Sequence, residues 1–151
     1  MDEYSQPLKI GKRELFILYY LRPRRKMAGR ELIVANDKRF PFHPGFENQY
    51  TYVVKFFQKG NCAGNHYHLH KEEIMLPLDG KFEIQVEDTK TKKQDRFLID
   101  SKDNVAFRVA CGISHAVRSL DNTGILLVTS TTPSQESDDF YYPIEILTST
   151  K

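Results

Sequence analysis

The feature that most constrains the fold is a strict alternation of apolar and polar residues at positions 82–87. The apolar members of this run are Phe82, Ile84 and Val86, and the polar members are Glu83, Gln85 and Glu87. Successive side chains of a β-strand point to opposite faces, so a period of two predicts a strand with one apolar and one polar face. Short β-rich runs recur along the chain between Gly, Asn, Asp and Pro clusters, whereas helix signals are scarce. The sequence therefore predicts an all-β chain of the sandwich or barrel type.

Eight further segments have the composition of strands. They are 14–21, 30–35, 51–57, 73–78, 96–99, 105–109, 115–120 and 125–131. The first is apolar on both faces, so a helix is the alternative there, and the last is also apolar on both faces, which favours a central position in a sheet. Asp79-Gly80 is a hairpin-type dipeptide, and it predicts that the strand at 73–78 pairs with the strand at 81–87.

Composition excludes several classes of protein. A chain of 151 residues with 40% hydrophobic residues fits one domain, which we divide into N-terminal strands at 8–42, a core barrel at 48–132 and an acidic-aromatic tail at 133–151. The net charge of +2 does not favour a nucleic-acid surface. The sequence has neither an apolar run of about 20 residues nor a secretory signal pattern, so we predict a cytoplasmic protein without a membrane partner.

The chemically active side chains are concentrated between Gly60 and Gly80. His66 and His68 are two residues apart, so in a strand their imidazoles point the same way, roughly 6 to 7 Å from each other. Glu72 or Glu73 follows after a short turn and could complete a metal site or an acid/base pair. Any further member must come from another part of the chain.

The spacing of this stretch resembles the first motif of the cupin superfamily at every position. The matching residues are Gly60, His66, His68, Glu73 and Gly80, and the second motif is matched in part by Ala110, Gly112, His115 and Ser119. Asn104 and Ala110 stand where the second motif has glycine and proline, and Ser119 stands where it has asparagine. The resemblance implies a small RmlC-like cupin, which is a double-stranded β-helix or jelly-roll barrel with an N-terminal strand extension.

The cupin resemblance also implies a set of metal ligands. These are His66, His68, Glu73 and His115, a donor set that suits Zn, Fe, Mn or Ni. Strand alternation leaves the choice of carboxylate open, because Glu72 shares a face with apolar residues that could line a barrel. The family spacing favours Glu73.

A narrower resemblance is to the sugar-nucleotide branch of the cupins. GNHYH with a Glu-Glu pair resembles the WxcM-like dTDP-4-keto-6-deoxyglucose 3,4-ketoisomerases and the metal-binding cupin domain of capsular-polysaccharide biosynthesis reductases. Residues 31–42 and the acidic-aromatic residues 138–142 agree with the ketoisomerases. Ala63 departs from their pattern, since it replaces an arginine.

The ketoisomerase resemblance implies an enzyme that moves a proton on a nucleotide-linked keto-sugar, as a 3,4-ketoisomerase or an epimerase. His66 and His68 would be the base and the acid without a metal, and Arg108, Arg118 and Tyr67 would bind the substrate. The alternatives are a metal-dependent dioxygenase or isomerase that uses the three histidines and Glu73, and a non-catalytic ligand-binding cupin. Aromatic strands at both ends of the chain predict a homodimer.

Overall fold

The computed structural model describes residues 7–35 and 46–144, and this part of the chain is almost entirely β-structure. The strands are Lys9–Lys12 (β1), Phe16–Tyr20 (β2), Pro23–Met27 (β3), Arg30–Ile33 (β4), Tyr50–Phe56 (β5), Cys62–Tyr67 (β6), Glu73–Asp79 (β7), Lys81–Asp88 (β8), Gln94–Asp100 (β9), Val105–Val109 (β10), Ile113–Ser119 (β11), Gly124–Ser130 (β12) and Phe140–Tyr141 (β13). Short 3-10 turns occur at Ser101–Asp103 and Glu136–Asp138. No helix in the described ranges is long and apolar enough to cross a membrane.

Two antiparallel sheets form the body of the molecule. One has six strands in the order β1-β2-β10-β7-β12-β5, and the other has five in the order β13-β6-β11-β8-β9. A separate two-stranded ribbon joins β3 and β4. This arrangement confirms the predicted all-β jelly-roll fold. The 14–21 segment contains β2, so its strand interpretation is right and the helix alternative is wrong.

The apolar face of β8 lies at the centre of the core. Phe82, Ile84 and Val86 are each 0% exposed, and they pack in one cluster with side chains of the six-stranded sheet such as Phe107 and Leu126. Burying a side chain of this size contributes about 1.5–3 kcal/mol to the free energy of unfolding. The three apolar side chains of β8 therefore favour the packing in which this face of the strand is turned toward the six-stranded sheet.

The polar face of β8 is also buried, and its two glutamates are hydrogen-bonded. Glu83 is only 3% exposed, and its two carboxylate oxygens accept hydrogen bonds from Arg96 at 2.8 Å and Arg118 at 3.0 Å. Glu87 accepts from the Tyr142 hydroxyl, which belongs to the C-terminal segment. That segment therefore packs back over the five-stranded sheet.

The predicted hairpin between 73–78 and 81–87 is wrong. Strand β7 lies between β10 and β12 in one sheet, whereas β8 lies between β11 and β9 in the other. Gly80, with φ of +87°, is where the chain crosses between the sheets. The crossing is held by a hydrogen bond from the Lys81 amide to Asp121 at 3.0 Å and by one from the Ser101 amide to the Gly80 carbonyl at 3.0 Å. The dipeptide signalled a turn but not its strand partners, which depend on distant segments.

Two sequence predictions fall in part outside the described residues. These are the N-terminal strands predicted at 8–42, of which 36–42 lie outside, and the tail predicted at 133–151, of which 145–151 lie outside. The side chains of residues 24–27 also lie outside the described part. Within the described part, β2 belongs to the six-stranded sheet and β13 to the five-stranded sheet, so both ends of the chain contribute strands to the sandwich.

Candidate metal centre and active site

Four titratable side chains meet between the two sheets. They are His66, His68, Glu73 and His115, and one ligand atom from each lies within 4.8 Å of the others. His66 is on β6, His68 follows that strand directly, and His115 is on β11 of the same sheet. Glu73 opens β7 in the opposite sheet. The structure thus brings together all four side chains that the cupin resemblance implies as metal ligands.

Close pairing of β6 with β11 places the histidines side by side. His115 is in register with His66, and the rings of these two residues are 4.8 Å apart between centroids. Gly64 makes this approach possible, because a Cβ atom there would lie 2.6 Å from the His115 carbonyl oxygen. Its φ of +90° also belongs to the left-handed region that favours glycine. The glycine before the histidines is therefore required by the geometry of the site.

The Nδ1 atom of each clustered histidine, which we call the outer nitrogen, lies near an oxygen atom. Nδ1 of His68 is 2.6 Å from the Asp138 carbonyl oxygen, and Nδ1 of His115 is 3.3 Å from the Ile113 carbonyl oxygen. Nδ1 of His66 is 2.8 Å from Oδ1 of Asp139. Carbonyl and carboxylate oxygens only accept hydrogen bonds, so Nδ1 of His66 and Nδ1 of His68 carry the proton, and the Nε2 atoms of these two rings keep a lone pair.

The two oxygens of Glu73 have different surroundings. Oε1 accepts a hydrogen bond from the Tyr52 hydroxyl at 3.0 Å and lies 3.0 Å from the Lys71 ammonium. Oε2 lies 3.0 Å from Nε2 of His115, but these two atoms and the buried Nε2 atom of His68 make no aligned hydrogen bond within the described residues. Buried polar atoms that converge without hydrogen bonds are the arrangement that a bound cation satisfies, so the residues fit a divalent metal.

Burial sets the charge of these groups. It lowers the pKa of His66 to about 4, helped by repulsion from His115 and His68, and it also lowers the pKa of His68. Burial alone would raise the pKa of Glu73, but contact with His115 and the charge of Lys71 outweigh it and hold that pKa well below the usual value. At neutral pH His66 and His68 are thus neutral imidazoles, and Glu73 is an ionised carboxylate.

A cavity of about 200 Å³ adjoins the cluster. Its walls include Val54, Met75, Val117, Leu126 and Val128, and His66, Glu73 and His115 form its polar part. Pockets for drug-sized ligands are usually about 300–1,000 Å³. The cavity therefore has room for a ligand of the size of a sugar ring, and a nucleotide would have to lie outside it.

The three side chains predicted to bind substrate lie outside this cavity. Arg108 donates a hydrogen bond to Glu72 at 2.8 Å, and Arg118 donates one to Glu83. Tyr67 stacks on Phe140, with 5.1 Å between ring centroids. Alternation on β7 explains the position of Arg108, because Glu73 points into the site and Glu72 points out toward the arginine.

Sequence reasoning missed four residues of the site. Tyr52 and Lys71 hold Glu73, whereas Asp138 and Asp139 contact the histidines. Lys71 could have been suspected, because it lies between His68 and Glu73 in the motif. The DDFYY stretch at 138–142 resembles the ketoisomerase pattern, but nothing in the sequence indicates that it packs beside β6.

Residues 46–139, more than half of the sequence, match the family described as polysaccharide biosynthesis C-terminal domain. The chain belongs to the polysaccharide biosynthesis C-terminal domain family. The matched range of this domain includes the four clustered side chains and both aspartates that contact them. No curated protein matches the sequence.

Several solved structures share the fold. WlaRA, a TDP-fucose-3,4-ketoisomerase from Campylobacter jejuni, is 20% identical, with 83% of this chain and 88% of that chain covered and a TM-score of 0.71. QdtA, a sugar 3,4-ketoisomerase from Thermoanaerobacterium thermosaccharolyticum in complex with TDP, is 13% identical, with coverage of 89% and 92% and a TM-score of 0.73. The 3,5-epimerase RmlC from Legionella pneumophila is 12% identical, with coverage of 88% and 76% and a TM-score of 0.77. These similarities confirm the RmlC-like cupin fold.

Proposed function

We propose that the chain is a metal-binding cupin enzyme of the isomerase or epimerase type and that it acts on a keto-sugar. His66, His68, Glu73 and His115 would hold a divalent cation. The observation that carries the proposal is the set of buried, unpartnered atoms Nε2 of His68, Nε2 of His115 and Oε2 of Glu73. Leaving such atoms without a partner costs about 1–3 kcal/mol each, and metal ligation removes that cost.

The chain's own residues bind and orient the reacting groups. Tyr52 and Lys71 hold Oε1 of Glu73, so Oε2 is directed at His115. The apolar walls of the cavity exclude water from the ligand. A divalent cation held by the three histidines and Glu73 would supply Lewis acidity, which polarises a carbonyl group.

The substrate class is inferred from the cavity and from the structural relatives. Isomerases and epimerases of nucleotide-linked sugars are prominent among the proteins that share this fold. The 200 Å³ cavity suits the sugar part of such a molecule. A nucleotide part, if the substrate has one, would lie outside the cavity.

A second candidate is the metal-free acid/base mechanism, in which His66 and His68 exchange the proton. Three observations favour it. The fold is that of sugar 3,4-ketoisomerases, and the lowered pKa of His66 keeps its imidazole neutral and able to accept a proton. His66 is also the most exposed of the three clustered histidines, at 25% of its side chain, and so lies where a substrate would enter.

The test combines metal analysis with turnover. The purified protein is treated with EDTA, reloaded with Zn²⁺, Fe²⁺, Mn²⁺ or Ni²⁺, and analysed for bound metal and for C3/C4 carbonyl exchange in dTDP-4-keto-6-deoxyglucose by NMR. We expect near-stoichiometric metal in the wild type, and at least about tenfold weaker binding in Glu73→Gln and His115→Gln. His70→Gln is the matched control, because His70 is exposed and lies outside the cluster.

The outcomes separate the candidates. Metal-dependent exchange supports the proposal. Full exchange by the metal-free protein would overturn the role of the metal and favour the histidine pair. Stoichiometric metal without turnover of any keto-sugar would overturn the proposed reaction and leave a ligand-binding cupin.

A further inference from the structure

The acidic-aromatic segment Asp138–Tyr142 runs beside the strand that carries the site. Its strand β13 pairs with β6, with Phe140 opposite Tyr67 and Tyr141 opposite His66. The Tyr67 and Phe140 rings stack at an interplanar angle of 16°. Backbone pairing and ring stacking thus fix the register of this segment against the histidines.

Asp138 anchors the chain at His68 and in the turn that follows. Its carbonyl oxygen accepts the Nδ1 proton of His68 at 2.6 Å. Its buried carboxylate accepts hydrogen bonds from the amides of Leu69 at 2.8 Å, His70 at 3.2 Å and Lys71 at 3.1 Å. One residue therefore fixes both the ring of His68 and the turn that leads to Glu73.

Asp139 makes the corresponding contact with the other histidine of the pair. Its Oδ1 atom lies 2.8 Å from Nδ1 of His66, and half of its side chain is exposed. The segment also bonds to β11, because the Ser114 hydroxyl donates to the Tyr142 carbonyl oxygen at 3.0 Å. Consecutive aspartates thus contact the outer nitrogens of two histidines that are themselves two residues apart.

We propose that Asp138 and Asp139 are positioning residues, and that the C-terminal segment fixes the tautomer and direction of His66 and His68 so that both Nε2 atoms face the cluster of His66, His68, Glu73 and His115. The hydrogen bond made by one ring nitrogen decides which nitrogen carries the proton. Partners of this kind typically change metal affinity by 10–100-fold. The metal part of this inference rests on the proposed function, whereas the tautomer part does not.

The test uses Asp139, because substitution cannot remove the backbone carbonyl through which Asp138 contacts His68. Three variants are compared: Asp139→Ala, Asp139→Asn, whose amide oxygen still accepts a hydrogen bond, and the matched control Glu136→Ala. Glu136 is an exposed carboxylate that lies three residues before Asp139, just outside the segment. Circular dichroism and amide NMR dispersion establish that each variant is folded.

Two readouts follow. In metal-free protein, ¹⁵N–¹H spectra of the imidazoles should show His66 protonated at Nδ1 in the wild type and shifted toward Nε2 protonation in Asp139→Ala. The dissociation constant for Zn²⁺ should rise about 10–100-fold in Asp139→Ala. It should rise less in Asp139→Asn and remain unchanged in Glu136→Ala.

Each outcome bears on a defined part of the inference. An unchanged His66 tautomer in Asp139→Ala would overturn the positioning role, even if Zn²⁺ affinity fell through the loss of charge. Equal losses in Glu136→Ala would overturn it as well. If the wild type binds no metal, the proposed metal centre fails, but the tautomer comparison still decides whether Asp139 positions His66.

Discussion

Lys71 is a buried cation placed against the carboxylate of the candidate metal centre. Its side chain is 6% exposed and its ammonium lies 3.0 Å from Oε1 of Glu73. Two opposing effects act on metal binding, since the ammonium orients the carboxylate but repels a cation that shares it. Loss of orientation costs about 1.4–2.7 kcal/mol, whereas repulsion between unit charges 4 Å apart reaches about 4 kcal/mol at an effective dielectric of 20. Repulsion therefore has the larger effect on metal affinity, and Lys71 is expected to weaken metal binding.

Replacing Lys71 with Met should act oppositely on stability and on metal affinity. The metal-free variant should lose about 3 kcal/mol of unfolding free energy, because Glu73 keeps a buried charge without its cation. Zn²⁺ should bind at least about tenfold more tightly. Urea unfolding and chelator competition measure the two effects.

Tyr52→Phe is the matched control, because it removes a neutral donor from the same carboxylate oxygen. It should weaken Zn²⁺ binding slightly, since only orientation is lost. Weaker Zn²⁺ binding in Lys71→Met would show that orientation outweighs charge at this site.

For individual residues, the sequence indicated which residue types form the site, but it was less informative about which way their side chains point. Alternation could not choose between Glu72 and Glu73, because Ile74 and Met75 are both buried, so both faces of β7 are apolar. The two arginines were reasonable ligand candidates by charge. Their nearest carboxylates, Glu72 and Glu83, come close only through strand pairing and so could not be found from spacing.

The crossing between the sheets depends on one element, the turn at Gly80. A Cβ atom there would lie 2.8 Å from the Thr123 carbonyl oxygen, and the residue has φ of +87°. Gly60 has nearly the same φ, +86°, but nothing within 4 Å of an added Cβ. The two glycines that bound the histidine-rich stretch thus differ in steric crowding and share their backbone conformation.

Gly80→Ala should therefore destabilise the protein more than Gly60→Ala. Strain from the left-handed conformation costs about 1 kcal/mol in both variants, and the clash should add about 1–2 kcal/mol at Gly80 alone. Urea unfolding of both variants gives the difference. Equal losses of unfolding free energy would mean that the crossing relaxes easily and does not fix the strand order.

The positions of the strands along the chain could largely be predicted from the sequence, but the pairing between strands could not. Period-two alternation and apolar runs located the strands β7 to β12, because those signals are local. Pairing of β8 with β11, and of β7 with β12, joins segments that are far apart in sequence. The cupin spacing supplied what local patterns could not, namely that His115 arrives beside His66.

For the whole molecule, burial of neutral histidines makes stability depend on pH. The pKa of His66 falls to about 4 and that of His68 is also lowered, whereas unfolded imidazoles titrate near 6.5. Between these values the unfolded state binds more protons, so stability decreases as pH falls. The lowered pKa of Glu73 acts only below the usual carboxylate range and does not contribute in this window.

Urea unfolding in EDTA should therefore show a lower unfolding free energy at pH 5 than at pH 7. His66→Gln should reduce this pH dependence, and His70→Gln, at an exposed position, should leave it unchanged. A wild-type stability that stays constant from pH 7 to pH 5 would contradict the burial of neutral imidazoles.

The origin of the four clustered side chains has a mechanical consequence. Glu73 belongs to the six-stranded sheet, and the three histidines lie on or next to strands of the five-stranded sheet. A cation shared among them would cross-link the two halves of the sandwich, much as a disulfide joins distant segments. Its removal would relax the gap between the sheets without breaking any hydrogen bond inside either sheet. Under the proposed function, the metal centre would therefore also hold the two sheets together.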